Sequence, residues 1–176
     1  MIEPMHLNDL ANIGQIVGAI AVVISLIYVA LQIRQNTNAI RAATAQSVHE
    51  HFANWYNSFA RDASLSQIAI NGLKDYGSLS EADKARCVAV FMAFLSYSQN
   101  AFLKWRQGLL EPSLWLGWEQ VIMNLVCAPG GKAFWKERSY LFGEEFRRYV
   151  EDDLMKRTPH PEAKPMGAFS IARQSQ

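Results

Sequence analysis

The sequence has only two cysteines, Cys87 and Cys127, and no lysine or arginine before Arg34. It contains no G-x-S-x-G, G-x-G-x-x-G or C-x-x-C motif. These absences remove the common signatures of serine hydrolases, dinucleotide-binding enzymes and redox thiols. No segment alternates apolar and polar residues over a useful length, which argues against half-buried strands. The net charge of +1 supplies no large field to attract nucleic acid. The most informative absence is charge itself: residues 10–33 run for 24 positions without one charged side chain.

At ~1.5 Å per residue a helix over those positions reaches ~36 Å, enough to cross the hydrocarbon core of a bilayer. Between residues 13 and 33 twelve side chains are Ile, Leu or Val. Each contributes roughly −0.3 to −0.6 kcal/mol to insertion near mid-helix. Gln15 and Gln32 oppose it from near the ends, where polar groups cost less, and Ser25 can bond its own backbone. The reading is one transmembrane helix. All 17 Lys and Arg residues follow it, with Arg34 and Arg41 nearest. The positive-inside rule then places residues 1–9 outside and residues 34–157 in the cytoplasm. A cleaved signal peptide would need a basic start and a shorter apolar core. A buried core helix would be shorter than 24 uncharged residues.

The span also carries a pattern. Ala11, Gly14, Gly18, Ala21, Ser25, Tyr28 and Gln32 follow one another at spacings of 3 and 4, and they gather nearly all its small and polar residues. In lipid, helices associate through close packing of small residues and through interhelical hydrogen bonds. The period of 3.5 favours a left-handed assembly. The face of Gly14, Gly18, Ala21, Ser25, Tyr28 and Gln32 is therefore the candidate association site, with membrane lipid and a second copy or a membrane complex as expected partners. Two functions follow: a membrane-anchored scaffold or accessory subunit, or a homo-oligomeric pore lined by the polar members of this face. Pores usually show charged rings or a defined filter, and this span has neither. The scaffold reading leads.

The rest of the chain reads all-α, as a helical bundle that continues the anchor. Ala45, Val48, Phe52, Trp55 and Phe59 form a stripe on the continuing first helix. Asp62 or Ser64 caps a short helix that ends near Gly72. Ser80 and Asp83 resemble a capping box, and Gly108 is placed to stop the helix they start. Pro112 opens the next, which carries Leu114, Trp118, Val121, Ile122 and Leu125 and stops before Pro129-Gly130-Gly131. A shorter helix with Phe134, Trp135 and Arg138, interrupted at Gly143, precedes a last one with Phe146, Tyr149 and Val150. Phe91, Leu95, Phe102, Trp118, Ile122 and Phe146 are the expected core. Both cysteines sit in apolar helical patterns and read as buried small hydrophobes, reduced in a cytoplasmic domain. Residues 158–176, with three prolines, have the composition of a flexible tail.

Few residues suggest chemistry. His49 and His51 lie two apart, about 200° on a helix, so they cannot pair on a metal as i and i+4 would. The expected role of His51 is stacking on Trp55. Gly130-Gly131-Lys132 lacks the Gly and the Ser or Thr of a phosphate-binding loop and reads as a helix stop and restart. Glu144-Glu145 and Glu151-Asp152-Asp153 read as solvated faces. Trp115 and Trp135 lie off the stripes, with the core as their expected place. No catalytic residue, cofactor or metal site is expected.

Two strings, LANIGQIVGAIAVVISLIYVALQIRQNTNAIRA and GLLEPSLWLGWEQVIMNLVCAPGGKAFWKERSYLFGEEFRRYV, carry a resemblance. The chain resembles, over roughly residues 8–150, an uncharacterised bacterial family of small helical proteins with an N-terminal membrane anchor. The shared elements are Trp115 and Trp118 on one helix, the Pro-Gly-Gly element, and the run Phe134, Trp135, Arg138, Phe142, Glu145, Phe146. The resemblance implies an anchor in the bacterial inner membrane and a helical domain, and it transfers no catalytic residue.

Overall fold

A computed structural model describes residues 7–157. Residues 1–6 and the tail 158–176 lie outside the described residues. Within them the protein is all-helical, with no strand. The chain divides into two units, Met1–Ala42 and Ala43–Gln176. The first helix, α1 (Leu7–Arg61), contains the boundary between them.

In the first unit, every described side chain from Leu10 to Ala42 is exposed except the half-buried Thr37. Ser25 Oγ donates to the Ala21 carbonyl at 2.8 Å and Thr37 Oγ1 to that of Ile33 at 2.9 Å. These two hydroxyls thus bond back to their own turn.

The second unit holds the rest of α1 and five further helices: α2 (Ala63–Lys74), α3 (Glu81–Arg106), α4 (Pro112–Val126), α5 (Pro129–Arg138) and α6 (Glu144–Arg148). Local chemistry sets their ends. Asp62 caps α2 by accepting from Leu65 N–H at 3.0 Å. Its carboxyl is held below the usual range by Ser64, the Leu65 N–H and Arg86. Ser80 caps α3 by accepting from Asp83 N–H at 3.2 Å, and its hydroxyl donates to the Asp83 carboxylate at 2.8 Å. Gly108, at φ +71°, closes α3 with a double turn. Gly108 N–H donates to Trp105 O and Leu109 N–H to Lys104 O, both at 2.9 Å, so the last carbonyls of α3 are satisfied.

α2 packs on α3 and α5, and α3 packs on α4. All six expected core residues are buried, with Cys87, Phe94, Trp115, Met123, Phe134 and Trp135 among their neighbours. Four tryptophan N–H groups find acceptors: Trp55 on Val90 O, Trp118 on Ser98 Oγ, Trp115 on Tyr149 Oη, Trp135 on Glu151 Oε1. A bonded N–H is what allows an indole to be buried.

Two details of the helices differ from the sequence reading. Leu114 is not packed inward but 51% exposed. The helix stop and restart falls where expected: α4 ends at Val126, Pro129 opens α5, and Gly130 and Gly131 are buried in its first turn. A Cβ on Gly130 would overlap the Gly72 carbonyl of α2, and one on Gly131 the Leu125 carbonyl across the α4–α5 turn. Gly130 is glycine because two distant backbones meet there. Gly143 does not interrupt α5, which ends at Arg138; it caps α6, and its N–H donates to Gln99 Oε1 at 2.6 Å.

Candidate functional site

The six residues of the association face, Gly14, Gly18, Ala21, Ser25, Tyr28 and Gln32, lie on the exposed part of α1. A Cβ at Gly14 or Gly18 would meet nothing within 4 Å. No other described element of the first unit covers them, so the face is available along its length. Ser25 differs from the other members: its hydroxyl proton is already given to Ala21 O, so toward a neighbour it offers only lone pairs.

The second unit holds a polar cluster with no forerunner in the sequence reading. Glu119, in the apolar run of α4, is 3% exposed. Tyr149 O–H donates to its Oε1, and Arg157 Nη1 donates to its Oε2 at 2.7 Å. Trp115 Nε1–H donates in turn to Tyr149 Oη at 3.1 Å. Arg157 also grips Asp153 with two donors, Nε at 2.8 Å and Nη2 at 2.7 Å. The Asp153 carboxylate holds the guanidinium above its usual range. A buried carboxylate is tolerated only when bonded and paired, and here both oxygens are occupied.

Tyr149 opens a π-helical turn, Tyr149–Asp153, that continues α6. The wide turn keeps Phe146, Val150 and Leu154, four residues apart, all buried. The cluster therefore clamps the last described residues onto α4. The acid runs expected to be solvated are in part engaged: Glu151 accepts from Trp135, and Asp153 belongs to this clamp.

A groove of about 270 Å³ lies between α1 and α4. Val48 and Phe52 form one wall, and Leu114, Gly117, Trp118 and Val121 the other. His49 lines it too, whereas His51 does not stack on Trp55: its ring lies on Tyr97, at 4.5 Å between centroids and 11° between planes. Trp55 packs instead on Phe94 of α3 and on Phe59 of α1. Among the described residues no group of three or more His, Cys, Asp or Glu is placed to hold a metal.

Burial pushes the Cys87 thiol up to about 11. Burial also raises that of the half-buried Cys127, with Lys132 pulling it back. The stability that Cys87 contributes is present below the ordinary thiol range and is lost as pH rises toward that value. Only thiolates react quickly. At neutral pH iodoacetamide should leave Cys87 unmodified in the folded chain and label Cys127 slowly, whereas both react in denaturant. Equal rates for Cys87 with and without denaturant, read by peptide mass, would contradict its burial.

No protein-family model matches the chain, and no curated protein or solved structure is significantly similar to it.

Proposed function

We propose that the protein is a single-pass, membrane-anchored scaffold or accessory subunit. In this reading residues 10–33 cross the bacterial inner membrane, and the second unit lies in the cytoplasm as a helical bundle that docks on a membrane complex or on further copies. One observation carries the proposal. α1 is long and apolar enough to cross a membrane, and its large side chains from Ile13 to Ile33 are all exposed. So much contiguous apolar surface is unfavourable in water, and Ile and Val are indifferent helix formers there. In lipid the same surface is solvated, and the helix is enforced because every backbone group must bond internally. The orientation follows the one-sided Lys and Arg distribution.

Topology is tested with Pro4→Cys and Ala133→Cys in intact cells and an impermeant thiol reagent. Labelling at position 4 alone is expected. Labelling at position 133 alone would reverse the orientation, and labelling at neither site in intact cells but at both after permeabilisation would discard the anchor.

Association is tested in a membrane two-hybrid assay. Gly18→Ile places a branched side chain on the small-residue face and should weaken self-association. Helix contacts in lipid are individually under ~2 kcal/mol, so the loss is up to about thirtyfold. Ile24→Leu keeps volume on another face and should associate as the parent does. Equal association of both variants would reduce the seam to a chance arrangement. Conductance in planar bilayers that vanishes with Gly18→Ile would promote the pore reading over the scaffold.

A further inference from the structure

The large apolar side chains left exposed on the second unit are not scattered. Leu103, Leu114, Leu116, Tyr140 and Leu141 are exposed, by 39% to 67%, whereas residues 57–96, 117–139 and 142–157 leave none exposed. The two others, Tyr56 and Tyr97, lie against Phe52 and His51 of α1. All five sit toward one end of the unit. Trp55 donates to Val90 O and packs on Phe94, while His51 stacks on Tyr97, so α1 and α3 run antiparallel. The C-terminal end of α3, with Leu103 in its last turn, therefore lies at the end where the unit's part of α1 begins. Leu114 lines the groove there with Ala45, and Leu116 follows on the same turn of α4. Gly143 N–H donates to Gln99 and Glu145 pairs with Arg106 at 3.0 Å, which brings the turn of Tyr140 and Leu141 beside the same stretch of α3.

We propose that this end of the second unit rests on the phospholipid bilayer, with its leucines and Tyr140 at the headgroup boundary. The proposal rests on the membrane anchor proposed above and adds which surface of the domain meets lipid. Chain length supports it. Only residues 34–42 separate the apolar run from the second unit, and fully extended they reach at most ~33 Å. A surface tethered so closely needs little affinity of its own, because the tether keeps its effective concentration at the bilayer high. Exposed apolar side chains beside a membrane are covered when they enter the headgroup region, where tyrosine is also favoured. The opposite end, formed by α2 and the first half of α3, exposes no large apolar side chain and has no such reason to approach lipid.

The test places one photocrosslinker at a time in the full chain, in vesicles of phosphatidylethanolamine and phosphatidylglycerol, and reads adducts by mass. Val22→p-benzoylphenylalanine reports the anchor and Leu116→p-benzoylphenylalanine the proposed contact. Ala85→p-benzoylphenylalanine, exposed on the first half of α3, controls for the probe's own affinity for lipid. All three positions are exposed, so the folded domain accommodates the larger ring. Lipid adducts at positions 22 and 116, and their loss at position 85, are expected. Lipid adducts at 22 with none at 116 would overturn the contact and leave the anchor standing. Equal lipid adducts at 116 and 85 would overturn it as well, since neither end is then preferred. Adducts from 116 to a second protein chain in place of lipid would give this end to a protein partner and end the proposal. No lipid adduct at 22 would overturn the anchor, and the contact with it.

Discussion

Gly130→Ala is expected to destabilise the second unit by about 3 kcal/mol, although it adds a single methyl group. The added Cβ would overlap the Gly72 carbonyl and crowd the backbone nitrogen of Tyr76. Both are backbone atoms of the α2 end and the turn that follows it, so no rotamer change relieves the contact, and α2 and α5 must separate. Overpacking of this kind costs ~1–3 kcal/mol where side chains can adjust, and the upper end applies where they cannot. Thermal unfolding of the full chain in detergent should show a fall of roughly 10 °C. Gly117→Ala is the matched control. It sits in a helix with open space at its Cβ, and should stabilise by ~0.5–1 kcal/mol by restricting the unfolded chain and favouring the helix. If the two variants melt together, the close approach of α2 and α5 is wrong.

Phe102→Ala is expected to cost ~3–5 kcal/mol, a large part of the 5–15 kcal/mol typical of a domain. Phe102 is almost fully buried, stacked on Tyr149 at 4.7 Å, with Phe146 and Trp115 within 6 Å. Removing the ring leaves a cavity that these large, rigid neighbours cannot fill. It also removes the floor on which Tyr149 is held while it donates to Glu119. Leu103→Ala, one residue along α3 and 39% exposed, should cost much less, ~1 kcal/mol. An unchanged melting temperature for Phe102→Ala would remove it from the core.

Gly108 was legible because its cause is local: α3 ends, the next residue needs a positive φ, and glycine supplies it. Gly130 has the same composition signal and a different cause. Its neighbour across the contact is Gly72, and nothing in a Pro-Gly-Gly string distinguishes a turn from a close helix approach. Trp115 and Trp135 fall off the helical stripes. They are buried because α6 and the π-helical turn cover them and offer Tyr149 and Glu151 as acceptors. Glu119 could have raised attention as one carboxylate in the run Trp118 to Val126, since a lone acid on an apolar face needs a partner. Its partners stand 30 and 38 residues away, and no spacing rule names them.

The sequence by itself determined the helical class, the position of most helix ends, the bulk of the buried aromatic core and the one stretch able to cross a membrane. Each depends on period, capping chemistry or the length of an apolar run, which are properties of neighbouring residues. The tertiary structure alone decided which glycines admit a second backbone, which ring His51 stacks on, and that Glu119 is clamped by Tyr149 and Arg157. Those outcomes depend on distances between residues far apart in the chain, and such distances exist only once the helices have packed.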